Sequence, residues 1–297
     1  MNSQIKDVSD TAFWIAHLRG LEDRRPDALF HDPFAMRLAG DRGQAIAKSM
    51  RLSSMVGWTV VLRTGIIDRY ITCAARAGVD CILNLGAGLD ARPYRLDLPT
   101  ALRWVEADYP HMIEYKETRL REFAPRCMVD RVPLDLADRP ARQKLFSQVN
   151  SQSTATLVLT EGVIPYLSND EVASLVTDVN TMDRAGLWIV DYFSRQMLEY
   201  RRGRTPHSMK NAPFRFEPDD WFGFFRERGW QTRDVRYFSD EGRRVGRPPP
   251  LAVWMKILMA LSRLAAPRRM RAAWDRFAGY ALLERMNQQA SSHLEVR

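Results

Sequence analysis

The chain of 297 residues, 45% hydrophobic and 27% charged, has an ordinary globular composition and enough length for one large domain with a substantial core. Its three cysteines, Cys73, Cys81 and Cys127, form no Cys-x-x-Cys pair, which argues against a disulfide framework or a zinc site and for a reducing, cytoplasmic setting. The formal net charge of +8 is concentrated at one end: from Glu241 to Arg297 eleven Lys or Arg face four Asp or Glu, so the basic balance does not predict a nucleic-acid partner.

Residues 1–75 read as a helical cap belonging to the same domain as the core that follows. The first residues lack the apolar segment of a signal peptide. Ser9 and Asp10 are placed to cap a helix through Thr11–Leu18. Asp32-Pro33 begins a second helix, with Asp32 as N-cap and Pro33 at the first helical position. A third covers Met50–Ala77, weakened by Gly57 and Gly65 and closed by Gly78.

Residues 76–297 read as the core. Strands are predicted at 81–85, 102–107, 128–133, 155–160, 187–193, 231–238 and 280–283, with helices at His111–Phe123, Asp170–Met182 and Glu217–Arg228. Strands alternating with helices predict an α/β fold with a mostly parallel sheet covered on both faces. Insertions on the substrate side are expected at about 195–215 and 240–278. The first contains the polar loop Arg201–Ala212, a predicted lid. The second contains the amphipathic helix Leu251–Ala266, a predicted lid or homodimer contact. That stretch is the longest apolar run, and Lys256 and Arg263 interrupt it, so no membrane span is expected. The Arg-rich end reads as a solvated face or as a docking surface for an anionic partner, such as an acidic carrier protein holding the substrate, or a membrane surface.

The stretch Cys81–Arg92 carries the chemistry. A buried strand runs into Gly86-Ala87-Gly88, where the backbone turns tightly and lies bare to a ligand. About twenty residues later come Glu106 and Asp108, the distance at which nucleotide-binding βαβ units place a carboxylate on ribose hydroxyls. The third glycine of the dinucleotide fingerprint is missing, and Asp90 would repel a pyrophosphate. A cofactor with no phosphate fits better: one whose charges are an amine, a carboxylate and a sulfonium, as in S-adenosylmethionine.

Further blocks follow in order. Gly86-Ala87-Gly88-Leu89-Asp90-Ala91-Arg92-Pro93-Tyr94-Arg95-Leu96, Val105-Glu106-Ala107-Asp108-Tyr109-Pro110 with Lys116, Leu134-Asp135-Leu136 and Glu161-Gly162-Val163-Ile164-Pro165-Tyr166-Leu167 together resemble the leucine carboxyl methyltransferase family, in its bacterial polyketide O-methyltransferase branch. Asp32-Pro33-Phe34-Ala35 and Arg63-Thr64 also fit, and the resemblance covers about residues 9–195. Ala91 departs from the family, which usually has threonine there.

The resemblance implies a Rossmann-like, seven-stranded class I methyltransferase using S-adenosylmethionine. It implies that Gly86, Ala87 and Gly88 pass under the cofactor and that Asp108 accepts from the ribose. Asp135 and the Leu136 amide would hold the adenine, although Asp135 also reads as a helix N-cap. Arg63 would grip the methionine carboxylate. Glu161 would hold the ammonium or line the reaction centre, and Tyr166 would contact the acceptor.

The expected reaction is O-methylation of a small, polyketide-like carboxylate or hydroxyl. A C-terminal protein carboxyl methyltransferase and an inactive binding module are the alternatives. A carboxylate acceptor needs no base; a hydroxyl does, and His17 is the histidine best placed for that, on a helix expected to cap the acceptor pocket.

Overall fold

The computed structural model describes residues 8–50, 53–201, 213–252, 254–255 and 275–286. Three N-terminal helices, α1 (Val8–Asp23), α2 (Ala35–Ser49) and α3 (Ser53–Arg76), precede the first strand. The core then runs β1 (Cys81–Leu85), α4 (Arg92–Arg95), β2 (Arg103–Asp108), α5 (Pro110–Leu120), β3 (Met128–Pro133), α6 (Arg139–Ser151) and β4 (Thr156–Thr160). It continues with α7 (Asn169–Val179), β5 (Ala185–Phe193), α8 (Arg195–Arg201), α9 (Trp221–Arg226), β6 (Trp230–Tyr237), α10 (Phe238–Arg244) and β7 (Ala278–Arg285).

The strands form one seven-stranded sheet in the order β3-β2-β1-β4-β5-β7-β6. Pairings from β3 through β5 are parallel, while β7 runs antiparallel to both β5 and β6. The order reverses between β1 and β4, and ligands bind in such sheets outside the carboxyl ends of the strands at that reversal. The α/β sheet and its seven strands lie where the sequence places them, with shifts of at most two residues at most strand ends.

Alternate residues on each strand feed two cores. Leu83, Val105, Val158 and Trp188 pack with α6, α7 and α9 on one face. Ile82, Trp104, Leu157 and Ile189 pack against Ile66, Ile67, Tyr70 and Ile71 of α3 on the other. β1 and β4 are buried along their whole length, which is why they read as continuous apolar runs. Trp188 meets Trp230 edge-on at 5.4 Å, and each indole N–H has an acceptor, on Thr160 and Asn180 respectively.

Local details differ from the sequence reading. Asp10 lies inside α1, and its carboxylate pairs with Arg42 of α2 at 2.5 Å. The helix after Asp32 begins at Ala35, and the Asp32 side chain goes to Arg19 at 2.9 Å. Gly57 and Gly65 sit within an unbroken α3, and Gly78, at φ +97°, follows its end as expected. α6 takes Asp138 as its N-cap, accepting from the Ala141 amide, and Ser168 with Glu171 forms a capping box on α7. Glu217–Arg228 shortens to the single helix α9, and Phe238 opens α10 where a strand end was expected. The predicted lid and most of the helix at 251–266 lie outside the described residues. None of the described helices is long and apolar enough to cross a membrane.

Candidate active site

At the carboxyl ends of β1 to β5 lies a cavity of about 1710 Å³. The turns after β1, β2, β3 and β4 form its floor, and α1 and α3 supply part of its walls. This exceeds the roughly 300–1,000 Å³ of a typical small-molecule pocket and has room for a nucleoside-sized group beside a second molecule.

The glycine turn has physical reasons for its composition. Gly86 has φ +66°, and a Cβ there would come 2.5 Å from Val163 Cγ2. Gly88 has φ +48°, and its Cβ would meet Ala12 of α1 at 3.2 Å. Both need the left-handed region, and both leave main chain bare at the cavity. Asp108 ends β2 opposite them. Its Oδ2 accepts from the Gly88 amide at 2.6 Å and its Oδ1 from the Tyr109 amide at 2.7 Å. Burial raises its pKa, and these two amides offset the rise only in part. Each oxygen retains acceptor capacity for a further donor.

Glu106, two residues earlier, is a structural group. It is fully buried, held by Lys116 Nζ at 2.7 Å and Arg131 Nε at 3.0 Å.

Around the methionine side of the glycine turn the charges form a network. Glu161, just past β4, has Oε2 at 2.7 Å from Arg92 Nη1 and Oε1 at 2.9 Å from Arg63 Nε. Burial works against its charge, but Arg92 and then Arg63 outweigh it and hold its pKa low. Arg92 also binds Asp90 at 2.8 Å and Asp68 at 2.7 Å. Asp90 is opposed by burial too, yet Arg92, Lys116 and Arg19 bring it down to about 2. Its charge is therefore answered within the protein, so the repulsion expected of it from sequence is weakened. Arg63 Nε lies close to Glu161 but out of line for a hydrogen bond, and it is a buried donor with no hydrogen-bond acceptor.

Asp135 and Leu136 follow β3 and line the cavity. Asp135 Oδ1 accepts from the Ala137 amide at 2.9 Å, a local turn rather than the cap of α6. The Leu136 carbonyl accepts from Arg142 at 2.5 Å. Tyr166 also lines the cavity, edge-on to Phe214 at 5.4 Å.

His17 does not line it, which corrects its expected place at the acceptor pocket. Thr11, Ala12, Ile15 and Arg19 of α1 face the cavity. At about 100° per residue, His17 points roughly the opposite way from Ile15 and Arg19. Burial, with Arg24 and Lys48 nearby, holds its pKa below the usual value.

The structure adds residues that sequence reasoning missed. Asp191 and Tyr280 both line the cavity from β5 and β7. They are direct partners in the β5–β7 register, and the Tyr280 hydroxyl donates to Asp191 Oδ1 at 2.5 Å. A carboxylate inside the apolar run Leu187–Phe193 was the available signal. Arg92, whose guanidinium joins Asp68, Asp90 and Glu161, has no signal in the sequence beyond its place in the Gly86–Leu96 block.

Comparison with known proteins is consistent with this geometry. Residues 12–180 match the leucine carboxyl methyltransferase family. A Mycobacteroides abscessus protein assigned as an S-adenosyl-L-methionine-dependent methyltransferase is 32% identical, over 81% of this chain and 89% of the relative. A similarly assigned protein from Mycobacterium avium is 33% identical, over 82% and 85%. The fold is similar to the crystal structure of a DUF574-family protein from Streptomyces avermitilis, with a TM-score of 0.56 at 14% identity over 93% of this chain and 97% of that one. It is also similar to a Thermobifida fusca protein assigned as a methyltransferase, with a TM-score of 0.54 at 13% identity over 85% and 92%. The chain belongs to the leucine carboxyl methyltransferase family and is an S-adenosylmethionine-dependent methyltransferase.

Proposed function

We propose that this methyltransferase transfers its methyl group to an oxygen of a small, largely apolar natural-product-like acceptor. The observation that carries this reading is the composition of the cavity beyond the glycine turn. There Phe193, Phe214, Phe238 and Met197 line a compartment continuous with the glycine turn, a shape suited to an aromatic or polyketide body rather than a charged polymer.

The residues present fit the cofactor. Gly86, Ala87 and Gly88 offer bare main chain to its amino-acid end. Asp108 would accept from the two ribose hydroxyls with the acceptor capacity its amide donors leave. Asp135 and the Leu136 amide would hold the adenine. Arg63, with an unsatisfied buried nitrogen, would bind the carboxylate, and Glu161 beside it would attract the ammonium. When bound, the cofactor supplies an electrophilic methyl on a positively charged sulfur. The protein's own contribution is orientation and exclusion of water, with Tyr166 against the acceptor.

The test is transfer of a tritiated methyl group to fractionated small molecules of the producing cell and, in parallel, to a peptide with a free C-terminus. Label in an apolar small-molecule ester or ether supports the reading. Label on the peptide alone overturns it in favour of a protein carboxyl methyltransferase.

A further inference from the structure

Of the two buried carboxylates that line this cavity, Asp90 and Asp191, only Asp191 has no arginine within ion-pair distance among the described residues. Asp90, like the part-buried Glu161, has a guanidinium nitrogen within 2.8 Å. Asp191, only 4% exposed, is held by two neutral donors: the Tyr280 hydroxyl at 2.5 Å and the Gly162 amide at 3.0 Å. Among the described residues it makes no ion pair. Burying a carboxylate this way is costly, and such a group is kept where its charge is used. It sits between aromatic walls. Phe193, two residues along the same face of β5, packs on Phe214 at 5.1 Å, and Phe238 lies 6.3 Å from Tyr280.

Resting on the O-methyltransferase reading, we propose that Asp191, oriented by Tyr280, is the proton acceptor for the methyl acceptor, which is therefore a neutral, aromatic hydroxyl compound rather than a carboxylate. The charges favour this choice. Arg63 and Arg92 are answered by Glu161 and Asp90, and Asp108 lies at the glycine turn, so Asp191 is the uncompensated carboxylate beside the aromatic walls. A neutral acceptor adds no charge beside Asp191, whereas a carboxylate would place a second negative charge next to it. Asp191 takes the hydroxyl proton as the acceptor oxygen's electron pair forms the new O–C bond and the C–S pair stays on sulfur. The proton then passes to solvent. Burial, opposed by the Tyr280 hydrogen bond and by Arg63, pushes Asp191 up to about 6, so it is ionised near neutrality and a better base than an exposed aspartate. Tyr280, driven well above its ordinary pKa by burial and by Asp191, stays protonated as the donor.

The test is a matched pair of probes, naphthol and naphthoate, titrated calorimetrically at about pH 8 into the full chain saturated with S-adenosylhomocysteine. Naphthol is then neutral and naphthoate ionised. The expected result is naphthol binding at least about tenfold tighter than naphthoate in the wild type. Asp191→Asn should abolish that preference, and Tyr280→Phe, which keeps the charge, should retain it. S-adenosylhomocysteine affinity in Asp191→Asn should stay within about twofold of wild type, which shows the variant is folded. Equal binding of the two probes, a preference for naphthoate, binding of neither, or an unchanged preference in Asp191→Asn overturns the proposal. Label found in a base-labile small-molecule ester would also overturn it while leaving the broader O-methyltransferase reading intact.

Discussion

The backbone amide of Gly88 donates to Oδ2 of Asp108 at 2.6 Å, tying the turn after β1 to the carboxylate at the end of β2. The two halves of the cofactor platform are therefore one unit, and Asp108 serves it twice: as a brace for the glycine turn and as an acceptor toward the cavity. Asp108→Ala should lower affinity for S-adenosylhomocysteine by about 30- to 100-fold, the worth of two hydrogen bonds to a charged acceptor with part of one lost to water. Titration calorimetry measures it. An affinity within threefold of wild type would remove Asp108 from the cofactor site.

The two glycines should respond differently to a methyl group. Both occupy the left-handed region, which costs a non-glycine residue roughly 1–2 kcal/mol. Gly86→Ala adds a clash, because its Cβ would sit 2.5 Å from Val163 Cγ2, while at Gly88 the nearest atom is Ala12 Cβ at 3.2 Å. Gly86→Ala is therefore expected to destabilise more than Gly88→Ala in urea denaturation. Adding Val163→Ala to Gly86→Ala should recover the clash but not the backbone strain. Additive losses in that double variant would show that Val163 is not the obstacle.

How much of this was legible in the sequence depended on the range of the interaction. Cys81–Leu85 was recognisable as a strand because a parallel strand buried on both faces needs no polar residue. The glycine turn and Asp108 were legible because adjacent strands place them at a fixed sequence distance. Spacing alone could not separate Asp108 from Glu106, since both lie on one face of β2; depth did, by burying Glu106 against Lys116. Asp191 and Tyr280 are 89 residues apart and meet through an antiparallel register that no local pattern encodes. His17 was misplaced because the rotation of α1 about its own axis is set by its packing on α2 and α3, not by the residues near His17.

The Glu106–Lys116 pair gives a prediction about stability rather than catalysis. Both side chains are fully buried, but their situations differ: Glu106 has a second partner in Arg131 at 3.0 Å, and Lys116 is held by Glu106. Removing one member of a buried pair costs about 3–5 kcal/mol when it strands a charge. Glu106→Gln removes the ion-pair partner of both Lys116 and Arg131 and should fall near the top of that range. Lys116→Met leaves Glu106 with Arg131 and should cost distinctly less. Equilibrium urea denaturation of the two variants decides. Equal losses, or a larger loss for Lys116→Met, would show that Arg131 does not compensate Glu106.

Asp191 also makes a prediction that needs no acceptor at all. Burial raises its pKa from 3.8 to about 6, against the opposing influence of the Tyr280 hydroxyl, the Arg63 charge and the Gly162 amide, with the Glu161 charge adding to the rise. A carboxyl whose folded pKa lies above its unfolded value contributes stability that is complete below the unfolded value and is lost as pH rises through the folded one. The surrounding groups keep their charge states over that range: Glu161 stays ionised because its pKa is lowered, Arg63 stays cationic and Tyr280 stays neutral. The stability of wild type relative to Asp191→Asn should therefore fall by about 1.4 kcal/mol between roughly pH 5 and pH 8. Taking the difference between the two proteins cancels every other titrating group, and it also removes the constant cost of turning an amide toward the Gly162 N–H. Urea denaturation at several pH values supplies the measurement. A difference that does not change with pH would mean that Asp191 titrates as an ordinary surface aspartate, and a difference that grows with pH would mean that the folded chain favours its ionised form.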